Sequence, residues 1–280
     1  GGDFDLESVQ PIGDFLYFGE EFGPYLIKTD KSGKVLQIFE TKVDGKIVRS
    51  PDHPAVAMPA VPGAVKFEVR RSKGFEGMAA SADGKFLYPL LEGPLLTASG
   101  EPEAKDGKRF LRILEFDTAK GEYTGKSFKY TLEAPNNSIG DFNLIDATSG
   151  LIIERDDTEG DTAQACLEGA PKPDCFNVPA KFKRIYKIDM AQADADGFVK
   201  KVGYIDLMDI DDPQKLARLG RKDGKLTFPF FTIENVDLVD ADRIIVGNDN
   251  NLPFSSGRAL GKVDDNELIL LKVTDLLQAK

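Results

Sequence analysis

Phe75-Glu76-Gly-Met-Ala, then Ala82-Asp83-Gly84, then Phe86-Leu-Tyr-Pro-Leu-Leu-Glu92 and finally Leu111-Arg-Ile-Leu-Glu-Phe-Asp117 form the stretch that decides the fold. Short runs of aromatic, branched and Leu residues, a period near two and an Asp-Gly turn are strand and hairpin signals. The stretch reads as a unit: an acid in a short first strand, a turn, an apolar second strand ending in an acid, and a third strand ending in Asp.

Working outward, the same unit recurs three more times. Upstream it is Asp5-Leu-Glu7-Ser-Val, Phe15-Leu-Tyr-Phe-Gly-Glu20 and Tyr25-Leu-Ile-Lys-Thr-Asp30. Downstream it is Gly140-Asp141-Phe-Asn-Leu-Ile, Gly150-Leu-Ile-Ile-Glu154-Arg155-Asp156 and Arg184-Ile-Tyr-Lys-Ile-Asp189. The last copy is Ile233-Glu234-Asn-Val-Asp-Leu, Arg243-Ile-Ile-Val-Gly-Asn248-Asp249-Asn250 and Glu267-Leu-Ile-Leu-Leu-Lys-Val-Thr-Asp275. Four such copies predict an all-β chain, a β-propeller of three- to four-stranded antiparallel blades in which stacked sheets bury faces that no single unit could bury. A β-sandwich would explain the alternation but not why each second strand ends in an acid.

The expected organisation is one domain over 1–280 with insertions near 46–71, 97–108, 157–180 and 209–226. Asp212-Pro213 to Gly220 carries capping, first-turn and exit residues and predicts a helix. Asp30, Asp117, Asp189 and Asp275 follow outgoing strands and are assigned to turns. The first residues carry neither Met nor a charged-then-apolar leader, which reads as a processed or truncated product. Cys166 and Cys175 bracket a polar, Pro- and Gly-bearing loop and are expected to form a disulfide worth roughly 2.5 to 3 kcal/mol in the chain-entropy model. Such a bridge places the chain in a periplasmic or extracellular compartment.

The 280 residues hold 36 basic and 47 acidic side chains, a formal net charge of −11, which argues against a nucleic-acid partner. No window reaches the roughly 20 apolar residues of a membrane span. The single histidine, His53 in Pro51-Asp-His-Pro54, reads as a surface or turn residue, and one histidine supports neither a Ser-His-Asp triad nor a two-histidine zinc site.

Oxygen chemistry remains. If the copies are blades, the recurrent acids Glu7, Glu76, Asp141 and Glu234, with Glu20, Glu92, Glu154 and Asp249, are brought towards a shared rim. Like charges at about 4 Å repel by roughly 4 kcal/mol at an effective dielectric of 20, so such a set calls for cations, arginines or raised pKa values. Calcium (Ca2+) takes six to eight oxygen ligands and is the natural candidate, with Asn248 and its neighbours offering more oxygens. The competing reading is that these acids cap strand ends or pair with Arg70, Arg71 and Arg155.

Phe18-Gly-Glu20-Glu21-Phe-Gly23-Pro24-Tyr25, Lys73-Gly-Phe-Glu76-Gly77-Met-Ala, Leu91-Glu92-Gly93-Pro94-Leu95, Ile153-Glu154-Arg155-Asp156, Lys183-Arg-Ile-Tyr-Lys-Ile-Asp189 and Gly247-Asn248-Asp249-Asn250 together resemble the phytase-like family of exported bacterial propellers, described by esterase-like activity of phytase. The resemblance implies a calcium-associated propeller that hydrolyses phosphate esters or related esters. It departs from the family at Glu234-Asn235, where a Glu-Gly is expected, and lacks a further N-terminal unit, so the ring is expected to be incomplete. The residues expected to act are Glu76, Glu154 and Arg155 in catalysis, and Glu7, Glu20, Glu76, Glu92, Glu154, Glu234, Asn248 and Asp249 as metal ligands. The partner is then a small anionic ester or the metal itself. The alternative is a non-catalytic propeller that binds metal, ligand or protein, with structural calcium.

Overall fold

The computed structural model describes residues 4–57, 65–167 and 173–280. Residues 58–64 of the first expected insertion, 168–172 of the cysteine loop and the three N-terminal residues lie outside the described residues. The chain is nearly all-β, and its four main sheets are antiparallel blades of the propeller type.

The strands follow in chain order. The first sheet is β1 (Leu6–Ile12), β2 (Phe15–Glu20), β3 (Tyr25–Asp30) and β4 (Val35–Glu40), paired in that order, followed by a hairpin of β5 (Lys42–Val43) and β6 (Lys46–Ile47). The second comprises β7 (Phe75–Ala80), β8 (Phe86–Leu91), β10 (Lys108–Asp117) and β11 (Glu122–Thr131), with β9 (Ala104–Lys105) on the flank of β10. The third is β12 (Ser138–Leu144), β13 (Ser149–Arg155), β14 (Lys183–Asp189) and β15 (Lys200–Asp206). A small sheet of β16 (Ile210–Asp211), β17 (Arg221–Lys222) and β18 (Lys225–Leu226) precedes the fourth, β19 (Thr232–Leu238), β20 (Arg243–Asp249) and β21 (Leu268–Lys272). Helix α1 (Thr274–Gln278) follows.

Two compact units are distinguished. The first holds the chain to Pro135 with Asp141–Gly150 and Asp189–Lys200; the second holds Asn136–Gly140, Leu151–Ile188 and Lys201–Lys280. In the first, buried strand residues build one core of Tyr17, Leu26, Phe39, Met78, Leu87 and Phe116, and Val43, Phe75, Leu91 and Leu114 build another with the loop residues Val48, Val69 and Leu95. Each such side chain fully removed from water contributes about 1.5 to 3 kcal/mol. Phe39 and Phe116 meet edge to face at 4.8 Å between ring centroids. In the second unit, Leu151, Ile152, Ile153, Ile185, Phe228, Phe230, Ile244 and Val246 are fully buried.

Turn chemistry follows the sequence at most positions. Asp30 Oδ1 accepts from the amides of Ser32 and Lys34, Asp117 Oδ1 from Ala119 and Lys120, and Asp189 Oδ1 from Ala191. Asp275 differs, because it lies in the first turn of α1, where an acid suits the positive end of the helix. The expected helix from Asp212 is not formed. Asp212 is 7 % exposed and its carboxylate accepts from the amides of Leu216 and Ala217, two residues further along than a capping residue reaches, while Lys215 takes a left-handed φ of 59°. The segment winds around the carboxylate instead of continuing as a helix.

Cys166 and Cys175 are joined by a disulfide, as their spacing led us to expect. His53 lies in a turn, as expected, but not at the surface: its amide donates to Ser50 O at 3.2 Å, it is 4 % exposed and its ring is 5.2 Å from that of Tyr25. A tyrosine at the start of β3, with β4, β5 and β6 between it and the histidine, covers it, which a local reading of a proline-flanked loop does not reveal. No helix among the described residues is long and apolar enough to cross a membrane.

Candidate metal centre

Three of the recurrent acids of the first strands, Glu7, Glu76 and Glu234, occupy a shared backbone device. In the β1–β2 pair Leu6 faces Glu20 and Ser8 faces Gly19, so Glu7 is the extra residue of a β-bulge. In the β7–β8 pair Phe75 faces Leu91 and Gly77 faces Leu90, which makes Glu76 the extra residue. In the β19–β20 pair Ile233 faces Asn248 and Asn235 faces Gly247, and the extra residue is Glu234. A bulge bends its strand and re-aims a side chain that regular alternation would commit to one face.

In the first unit this device brings carboxylates together. One ligand oxygen from each of Glu21, Glu76 and Glu92 lies within 4.8 Å of the others, and Asp5, Glu7 and Glu21 form a second group on the same criterion. Glu21, Glu76 and Glu92 are only 5 to 6 % exposed. Burial first, then the charges of Glu92 and Glu7, push the Glu21 carboxyl up to about 9, against the pull of Lys73. The Lys73 ammonium is paired with Glu92.

Two glycines set this geometry. A Cβ on Gly74 would fall inside contact distance of the Glu21 backbone, so the 73–76 segment lies directly against the residue it serves. A Cβ on Gly77 would meet Asp141 and Phe142 in the same way. The Lys73-Gly-Phe-Glu76-Gly77 stretch thus spaces one bulged acid between two close backbone approaches. The amide of Glu92 donates to Gly74 O at 2.7 Å, fixing the end of β8 beside it.

Glu20 serves differently. It is fully buried, and its carboxylate accepts from the amides of Asp5 (3.1 Å), Phe22 (2.7 Å) and Gly23 (2.8 Å). Burial still raises its carboxyl above the ordinary value, although the three amides pull the other way. The Glu21 amide returns a bond to Asp5 O at 3.0 Å, so this clasp fixes both Asp5 and Glu21. Glu21 is the residue the sequence reading missed. Adjacent residues of a strand point to opposite faces, so a Glu-Glu pair at a strand end signals that one must face away from the other. Asp141, at the matching place in the third copy, accepts from its neighbours, Phe142 N at 2.7 Å and Asn143 Nδ2 at 3.2 Å.

The second unit holds the remaining expected residues. Glu154 is fully buried, 2.9 Å from Lys201 Nζ and accepting from Asn137 Nδ2 at 2.8 Å. Arg155 Nη1 donates to Asp157 at 2.8 Å and its guanidinium lies over the Phe231 ring at 5.7 Å. Asn248 Oδ1 accepts from Glu267 N at 2.7 Å while its Nδ2 donates to Asp265 O at 3.2 Å. Asp249 Oδ1 accepts from Asn251 N at 3.1 Å. Lys183 is fully buried against Asp156 Oδ1 (3.0 Å), Asp156 O (2.7 Å) and Phe231 O (3.2 Å), and burial brings its ammonium down to about 8 despite the Asp156 charge.

The donors that converge at Glu21, Glu76 and Glu92 are all carboxylate oxygens. This donor set suits a hard cation of the calcium type rather than a thiophilic metal.

The family model described as Phytase-like, esterase-like activity of phytase, matches residues 1–252. An uncharacterized secreted protein of Arthroderma benhamiae is 30 % identical over 127 residues, 42 % of this chain and 23 % of that protein. The chain therefore spans about a quarter of that relative's length, and the relative is fungal rather than bacterial. Among solved structures, U3-55K matches at 12 % identity and a TM-score of 0.34, covering 94 % of this chain and 63 % of that one. Hydrazine synthase of Kuenenia stuttgartiensis matches at 14 % and 0.33, covering 96 % and 64 %. TM-scores this low carry no argument about fold or function.

Proposed function

The chain belongs to the phytase-like family, and on that premise we propose that it is a calcium-associated hydrolase of phosphate esters or related esters. The observation that carries this reading is the convergence of the buried Glu21, Glu76 and Glu92, flanked by Asp5 and Glu7. Glu21, Glu76 and Glu92 hold the cation. Bound there, calcium supplies positive charge to a substrate's anionic oxygen. Lys73, already against Glu92, orients the same anion, and one of the flanking acids, Asp5 or Glu7, takes the proton of the attacking water. Glu154 and Arg155, tied to Lys201, Asn137 and Asp157, support the second unit. The disulfide and the secreted relative favour a periplasmic or extracellular setting.

A second reading is favoured by one observation. At 5 to 6 % exposure the three glutamates leave little room for a substrate, which suits a closed, structural cation in a non-catalytic binding protein. Calcium titration of the chelated protein, followed by melting and by turnover of p-nitrophenyl phosphate and p-nitrophenyl acetate, separates the two. Calcium-dependent turnover that falls at least about 100-fold in Glu76→Gln supports the hydrolase. Stabilisation without turnover supports the structural cation, and neither effect contradicts both readings.

A further inference from the structure

The sole histidine of the chain, at 4 % exposure, belongs to no part of the carboxylate cluster. His53 Nδ1 accepts from the amide of Ala55 at 3.0 Å, so the neutral ring carries its proton on Nε2, which faces Glu40 Oε1 at 3.4 Å. Its own loop is a tight one: His53 N donates to Ser50 O at 3.2 Å and Val56 N to His53 O at 2.8 Å.

This loop grips the turn that follows the acids of β2. Ser50 N donates to Gly23 O at 2.9 Å, and the Ser50 hydroxyl donates to Phe22 O. Phe22 and Gly23 are the residues whose amides hold the Glu20 carboxylate. From below, the Tyr25 ring packs on the imidazole.

We propose that His53 is an acid-released latch: neutral, it pins the Ser50–Val56 loop onto the Phe22–Pro24 turn, and protonated, it lets the loop go. A proton on Nδ1 replaces an acceptor by a donor and sets it against the Ala55 amide, which then has no acceptor there. The groups facing the ring divide. Glu40 and Glu68 favour the cation, whereas burial and the Arg49 guanidinium oppose it, and the opposing pair prevails, holding the imidazole below its ordinary value. The latch does not depend on cation binding at the glutamates.

Hydrogen exchange of the Ser50 and Ala55 amides, corrected for intrinsic rates and read at pH 7.5 and 5.0 on the full chain, tests it. The expected result is a loss of protection of roughly tenfold at the lower pH. His53→Asn, whose Oδ1 can stand in for Nδ1 as acceptor and does not titrate, is expected to keep its protection at both values. Unchanged protection in the wild type, or an equal loss in His53→Asn, overturns the proposal. Should that variant not fold, the NMR titration of the single imidazole decides: a pKa below 6.5 that moves together with the Ala55 amide supports the latch, and a value at or above 6.5 overturns it.

Discussion

Glu92 and Glu154 end the second strands of two copies of one repeat, and both are buried, yet their surroundings differ. Glu154, in the second unit, is answered within hydrogen-bonding distance by Lys201 and Asn137. Glu92, in the first, meets Lys73 but also Glu21 and Glu76. A repeated acid therefore does not carry a repeated role. In one unit the buried acid meets a lysine and an amide; in the other it meets a lysine and two further carboxylates, a donor set of the kind a hard cation takes.

The largest effect is expected from breaking the neutralised side. Lys201→Met leaves Glu154 buried with its ion pair lost and should cost about 3 to 5 kcal/mol in chemical denaturation, most of it recovered in the double variant Lys201→Met/Glu154→Gln. No recovery would show that Lys201 acts mainly through packing. Next comes Gly74→Ala, whose methyl meets the Glu21 backbone. It should cost roughly 2 kcal/mol and weaken calcium binding by titration calorimetry, because relief of the clash moves Glu21 away from Glu76. A loss of stability with unchanged calcium binding would detach the glycine from the site.

Lys183 gives the comparison a pH dependence. Its folded ammonium lies at about 8, below the ordinary 10.5, so between these values the unfolded chain binds more protons and stability rises with pH. Relative to Lys183→Met, the wild type should gain up to about 1 kcal/mol per pH unit across that window, read from denaturation midpoints at pH 8, 9 and 10. A flat difference would place the Lys183 charge outside the balance described. The smallest effect sharpens the contrast in sign: in chelator, Glu76→Gln should stabilise by about 1 kcal/mol by relieving its neighbours, whereas Glu154→Gln should destabilise.

The strand runs, their turns and the disulfide were legible because each is a local signal: period two, Asp at a turn, two cysteines around a loop that buries little. Bulges are not local in that sense. Glu7, Glu76 and Glu234 look like ordinary strand acids until the partner register shows an extra residue at each. Glu20 was the obvious acid at the end of β2, but three amides claim its oxygens and the neighbouring Glu21 joins the cluster. Helix signals from Asp212 to Gly220 failed because a buried carboxylate can bind the amides of a winding loop as well as those of a helix. His53 could not be placed because its cover, Tyr25, is remote in sequence.

The most direct test of the central claim is the calcium dependence of the melting temperature in the wild type, Glu76→Gln and Glu154→Gln, each measured in chelator and then with calcium in excess. The account predicts that calcium raises the melting temperature of the wild type and of Glu154→Gln but leaves Glu76→Gln unmoved. A wild type indifferent to calcium, or a response lost in Glu154→Gln and kept in Glu76→Gln, would contradict it.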